Sequence, residues 1–281
     1  MSEKAVIEVS ELADMAPAAD LVILDCRYDL ADPDAGARAF AEGHIPGAHH
    51  ASLHRDLSGP LGRYGGRHPL PHPEDFQQFA RACGINRNSL VVVYDDNRLA
   101  FAARAWFLFH YFGHKNVAVL NGGFKAWRAA DMPLSASTAG PTPGDFVASP
   151  RDAMLLNHQQ VYSNLDNPPW QLVDARDAHR FAGIEEPLDP IAGHIPTALN
   201  KPWQGVTHED GRLKSFAELR NHWQDIPADD RLVNYCGSGV TACVNLFSLH
   251  LIGCTDALLY PGSWSDWCAH IVYPATDTEN C

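Results

Sequence analysis

Basic residues are scarce in this chain: 21 Lys and Arg stand against 34 Asp and Glu, a formal net charge of −13 over 281 residues. A field of that sign repels phosphate backbones, so nucleic acid is not an expected partner. Long apolar runs are also missing. The longest, such as Leu21–Leu24 and Leu90–Tyr94, are strand-sized and far short of a membrane span. Met1–Ser10 carries early charge and no apolar stretch of the kind a signal segment needs. The expectation is a cytoplasmic protein with no membrane partner. Cysteine occurs seven times but in no Cys-x-x-Cys pair, and an odd count at irregular spacing argues against a disulfide scaffold. Fifteen histidines, His49-His50 among them, show no spacing joined to further Cys or carboxylate ligands. No metal and no cofactor are therefore expected.

What the chain does have is itself, twice. Its length admits one large domain or two ordinary ones, and the repeat decides for two. Leu21-Val-Ile-Leu-Asp25-Cys-Arg27 followed by Gly43-His-Ile-Pro-Gly-Ala48 returns as Gln171-Leu-Val-Asp174-Ala-Arg176 followed by Gly193-His-Ile-Pro-Thr-Ala198. Leu90-Val-Val-Val-Tyr94-Asp95 returns as Arg231-Leu-Val-Asn-Tyr235-Cys236, and Val119-Leu-Asn-Gly122 to Trp127 as Leu259-Tyr-Pro-Gly262 to Trp267. Short continuous apolar runs at Leu21–Leu24, Leu90–Tyr94 and Val117–Leu120 predict buried parallel strands. Pro73–Cys83 and Ala100–Phe112 carry helical spacing, with Gly84 and Gly113 as stops. The fold class is α/β, two tandem domains each with a central parallel sheet flanked by helices. The boundaries read as 1–138, a Pro- and Gly-rich surface linker at 139–150, and 151–281.

Ligands of such sheets bind at the carboxyl ends of the strands. Cys236 follows the strand Leu232–Tyr235 directly, in Tyr235-Cys236-Gly237-Ser238-Gly239-Val240-Thr241-Ala242, before a helix that begins near Val240 or Thr241. Two glycines let successive N–H groups curl inward, and the helix N-terminus adds its dipole, making an anion cradle that suits a thiolate nucleophile. Ser238 can donate a further hydrogen bond or relay a proton. A free cysteine is more often a small buried hydrophobe; the strand-to-helix turn and the glycines weigh against that here. Cysteine phosphatases need an Arg six residues after the nucleophile, whereas Ala242 stands at that place, which argues against phosphoryl transfer. Cys243 sits two helical turns on and points toward the core. Arg63 and Arg67 either reach across a cleft toward an anion or lie in a solvated loop. Trp264 and Trp267 read as packing under the cysteine loop.

Asp174-Ala-Arg176 with Arg180-Phe181, Gly193-His-Ile-Pro196, the loop Cys236 to Thr241, and Tyr260-Pro-Gly-Ser-Trp-Ser-Asp-Trp267 together resemble a tandem rhodanese-type sulfurtransferase over nearly the whole chain. The loop resembles that of the 3-mercaptopyruvate-using members. The resemblance implies a sulfur relay in which Cys236 of the second domain becomes a persulfide, and Asp95 at the matching place of the first domain carries none. It implies Arg180 as the residue holding the donor's carboxylate, the backbone of Gly237, Gly239, Val240 and Thr241 as the anion seat, and Ser238 with His68 as proton handlers. The family's acidic partner of that histidine falls on His54, with Asp56 two residues on. A loop without basic residues favours 3-mercaptopyruvate over thiosulfate, although Glu186–Ala192 lacks the second Arg usual before Gly-His-Ile-Pro. Implied acceptors are cyanide, a small thiol or thioredoxin. The alternatives are a thiosulfate-using enzyme with the same Cys, or a non-catalytic sulfur-carrying or binding module.

Overall fold

Strands buried on both faces need continuous rather than alternating apolar residues, and each half supplies them. The computed structural model describes residues 4–15, 18, 20–138, 140, 142–226 and 231–272. In the first half β1 (Val6–Ile7), β2 (Leu21–Asp25), β3 (Ala48–His50), β4 (Leu90–Tyr94) and β5 (Val117–Leu120) form a parallel sheet in the order β1-β5-β4-β2-β3. Around it lie α1 (Val9–Met15), α2 (Ala35–Glu42), α3 (Pro73–Ala82), α4 (Ala102–Tyr111) and α5 (Gly123–Ala129). The second half repeats the plan with β6 (Gln171–Asp174), β7 (Leu199–Asn200), β8 (Leu232–Tyr235) and β9 (Leu258–Leu259), parallel in the order β7-β6-β8-β9. Its helices are α6 (His158–Tyr162), α7 (Ala178–Phe181), α8 (Phe216–Trp223), α9 (Ala242–Leu251) and α10 (Ser263–Val272). A lone parallel bridge from Leu155 to Leu259 stands where β1 pairs with β5.

The sequence repeat is a repeat of hydrogen bonds. Arg27 pairs with Asp25 at 2.6 Å and donates to Gly43 O; Arg176 pairs with Asp174 at 2.6 Å and donates to Gly193 O. The amide of Ile45 donates to the Tyr94 hydroxyl at 3.2 Å, and that of Ile195 to the Tyr235 hydroxyl at 3.1 Å. The Asp-x-Arg and Gly-His-Ile-Pro motifs thus lock each strand end to the next crossover. A buried charge needs such saturation, since breaking one partner costs several kcal/mol.

Every residue of α4 is buried, and α9 is nearly so, as expected of helices apolar on all faces. They pack on each other across the two halves, with Trp106 and Phe247 edge to face at 4.9 Å. The described residues of the linker are mostly exposed, and the segment is also pinned to the first half. Gly144 N donates to Arg81 O, Phe146 N to Ile85 O, and the buried Phe146 ring packs on Phe76 and Phe109. Glycines 84 and 113 take left-handed φ as helix stops. Helix α4 starts at Ala102, two residues later than its spacing predicts, because the turn before it wraps a carboxylate. No helix among the described residues is long and apolar enough to cross a membrane. The terminal Cys281 lies outside the described residues.

Candidate active site

Cys236 is the first residue beyond β8, and the start of α10 holds its backbone. Cys236 N donates to Ser263 Oγ at 3.1 Å, Trp264 N to Cys236 O at 3.0 Å, and Ser265 N to Gly237 O at 2.9 Å. Ser263 and Trp264 are themselves buried. Gly239 has φ +78°, and a Cβ there would sit 2.2 Å from Pro261 O, so only glycine permits the curl. With α9 starting at Ala242, the amides of Gly237, Ser238, Gly239, Val240 and Thr241 donate to no acceptor among the described residues. Cys236 itself is 2% exposed. Its sulfur therefore occupies a water-poor niche where oriented amides act strongly on negative charge.

The first half shows what such a loop does with an anion. Asp95 Oδ1 accepts from Asn97 N at 2.9 Å and Leu99 N at 3.1 Å; Oδ2 accepts from Phe101 N and Ala102 N, each at 2.9 Å. The cradle is filled by the chain's own carboxylate. Burial pushes this carboxyl up, and the amides pull against that rise.

Residues of both halves converge on the Cys236 loop. Ser238 Oγ lies 2.8 Å from His68 Nδ1. Burial first, then the nearby Arg104 and Arg67 charges, push His68 down to about 4, so it is neutral at pH 7. Arg180 reaches Gly237, with Nη1 3.5 Å from where a Cβ would stand. Its Nε and Nη2 are spent on Glu186 at 3.1 and 2.6 Å. Val240 is buried and Thr241 half-buried behind the loop. The Cys243 thiol donates to Gly239 O at 3.4 Å, and burial pushes it up to about 12. His54 and Asp56 make no hydrogen bond to His68 among those described; the Asp56 carboxylate instead accepts from Ser52 N at 2.7 Å. The Ser238–His68 pair thus stands without a carboxylate behind it.

Two residues emerge from the structure rather than from site reasoning. Arg67, left between cleft and loop by its sequence, stands beside Arg180 with Nη2 3.0 Å from the Gly237 Cβ position. Arg104 is fully buried in α4 and donates to Leu57, His68, Pro69 and Gly239 carbonyls. Its signal was an arginine inside Ala102-Ala-Arg104-Ala-Trp106, a stretch otherwise apolar on every side.

His158, Asp266 and His270 bring possible metal-ligating atoms within 4.8 Å of one another. The two imidazoles stack face to face at 3.6 Å and 11°, so their in-plane lone pairs run side by side instead of converging. Both Asp266 oxygens already accept hydrogen bonds, from Gly65 N and the Tyr260 hydroxyl. The cluster serves as a clasp between α10 and the first half.

His68, His110 and His222 are each pushed down to about 4 chiefly by burial, against an unfolded value near 6.5. The unfolded chain binds protons that the folded one refuses. Stability is therefore complete above about pH 6.5 and is lost as pH falls toward 4. The smaller upward shifts of Asp56, Asp95 and Asp189 offset part of this. Urea unfolding should show a loss of roughly 2 kcal/mol per pH unit between 6.5 and 5; equal midpoints at pH 7 and 5 would contradict it.

The chain matches the family model of the rhodanese-like domain twice, over residues 8–130 and 157–270. It is 44% identical over 274 residues to a probable 3-mercaptopyruvate sulfurtransferase of Pseudomonas aeruginosa, covering 95% of this chain and 96% of that one. It is 40% identical over 269 residues to a putative thiosulfate sulfurtransferase of Mycobacterium tuberculosis, covering 93% of each. A crystal structure from Escherichia coli, described as a 3-mercaptopyruvate sulfotransferase of rhodanese fold, superposes with a TM-score of 0.82 at 32% identity, over 93% of this chain and 99% of that one.

Proposed function

The chain belongs to the rhodanese-like family, and from that premise we propose that it is a 3-mercaptopyruvate sulfurtransferase whose sulfur carrier is Cys236. The observation that carries the proposal is the pair of loops. The amides around Asp95 are filled by a carboxylate, whereas those following Cys236 have no protein acceptor among the described residues. An anion is what such a loop holds, and a cysteine persulfide is an anion that can be put down and taken up.

The chemistry balances without a cofactor. The Cys236 thiolate attacks the donor sulfur, an S–S bond forms and the sulfur–carbon bond breaks. The electron pair left on carbon takes the proton that the donor thiol gives up, and pyruvate leaves. Ser238 and the neutral His68, 2.8 Å apart, are placed to carry that proton. An acceptor such as cyanide or a thiol then attacks the outer sulfur and returns the Cys236 thiolate. Arg180 beside Gly237 orients the donor's carboxylate. Thioredoxin is the macromolecular acceptor we propose, and the cytoplasm the compartment. All six described cysteines are unpaired, in keeping with reducing surroundings. We assign the sulfur-carrying domain to residues 151–281, the other to 1–138, and the linker to 139–150.

A second reading, thiosulfate as donor, is favoured by the absence of arginine from Glu186–Ala192. Steady-state rates with both donors on one preparation separate the two. The proposal expects kcat/KM higher for 3-mercaptopyruvate by about tenfold or more; a preference for thiosulfate overturns the donor assignment.

A further inference from the structure

Two guanidinium groups at the mouth of the site are each tethered on one side and bare on the other. Arg180 is held by Glu186 through Nε and Nη2, and Nη2 also lies 3.4 Å from Asp189. Arg67, from the other half of the chain, pairs through Nη1 with Asp189. Arg67 Nε donates to no acceptor among the described residues, and neither do the two nitrogens that face Gly237, Arg67 Nη2 and Arg180 Nη1. Both lie at Gly237, 3.0 and 3.5 Å from the place of a Cβ. Two bare N–H edges from two domains thus meet at the residue after the sulfur carrier.

Arg67 is held there by its neighbours. Tyr64 stacks on His270 at 4.3 Å, Gly65 N donates to Asp266 Oδ1 at 2.7 Å, and Arg67 N donates to Ser265 Oγ at 3.1 Å. Gly66 has φ +80°, and a Cβ on it would lie 2.4 Å from Gly262 O, so the strap sits directly on the turn that opens α10. That same turn holds the backbone of Cys236 and Gly237. A strap fixed at four successive residues delivers its side chain with little entropy left to lose.

We infer that Arg67 is a substrate-binding residue: with Arg180 it forms a clamp, one N–H edge to each oxygen of the donor's carboxylate. This rests on the reading of Cys236 as sulfur carrier. Glu186 and Asp189 balance the two arginine charges, so the clamp offers direction more than surplus charge. That suits a monoanionic carboxylate better than a dianion such as thiosulfate. The site is composite, complete only when the strap of the first domain is docked on the second.

The test uses the full chain carrying Arg67→Ala or Arg67→Gln, with 3-mercaptopyruvate as donor and cyanide as acceptor. Loss of a charge-assisted hydrogen bond predicts KM raised roughly 10- to 100-fold. The rate constant kcat should stay within about threefold of wild type, and persulfide loading at saturating donor should be complete. Arg67→Lys should recover part of the affinity, and added methylguanidine should lower KM for the alanine variant. Should one neutral variant fail to fold, the other decides. A wild-type KM in the neutral variants, or a defect confined to kcat, overturns the inference while leaving Cys236 in place. A wild-type protein that releases no pyruvate removes both readings.

Discussion

Replacing Cys236 with serine should abolish sulfur transfer while leaving the fold intact. The expected loss in turnover exceeds about 10⁴-fold, because no other group can hold the transferred sulfur and the covalent route disappears. The serine hydroxyl fills nearly the volume of the thiol and faces amides able to satisfy it, so the stability cost should stay near 1 kcal/mol. Pyruvate release and urea unfolding on one preparation check both halves. Substantial pyruvate production by the variant sinks the assignment. Cys243 offers no substitute: it is fully buried, its thiol is engaged with Gly239 O, and burial pushes it up to about 12. Nor does the first domain, whose cradle is closed by Asp95 on four amides.

Arg104→Leu should be the most damaging change outside the loop itself. The guanidinium is fully buried, and burial drives its pKa down; the nearby Cys243 sulfur, and after it that of Cys236, act against that fall. It donates to Gly239 O and His68 O at 3.1 Å, Pro69 O at 3.2 Å and Leu57 O at 3.3 Å. A leucine leaves the Leu57 and His68 carbonyls without a donor, takes one of two donors from Pro69 O and Gly239 O, and removes the cation behind the anion seat. The expected cost is about 3–5 kcal/mol in urea unfolding. A turnover loss beyond the unfolded fraction should accompany it, because Gly239 and His68 both lose their tether. Arg104→Lys, a point charge unable to span four acceptors, should recover only part of either. A leucine variant within about 1 kcal/mol of wild type contradicts this role.

The order in which these features became visible follows from the range of the interactions behind them. Strands β2, β4, β5 and β8 were legible because burial on both faces demands continuous apolar runs, and the repeat made each half a check on the other. The cysteine loop was legible because its glycines, the strand before it and the helix after it are all local in sequence. What escaped was assembled across the chain. Arg67 is brought to Gly237 by contacts between residues 64–67 and 262–270, which no spacing within one domain encodes. Ser263 and Ser265 read as parts of a motif, not as the clips on Cys236 and Gly237. The late start of α4 was hidden because a side chain, Asp95, takes the amides of Phe101 and Ala102 at the predicted helix start, together with those of Asn97 and Leu99 before it. The expected surface course of the linker missed Phe146, whose burial needs Phe76 and Phe109 from far upstream.

The most direct measurement is the intact mass of the protein after mixing with 3-mercaptopyruvate in the absence of any acceptor. The account predicts a gain of one sulfur atom per chain, located on the peptide carrying Cys236, formed with one equivalent of pyruvate and removed by cyanide. Pyruvate released without that sulfur, or sulfur retained on a different cysteine, contradicts it.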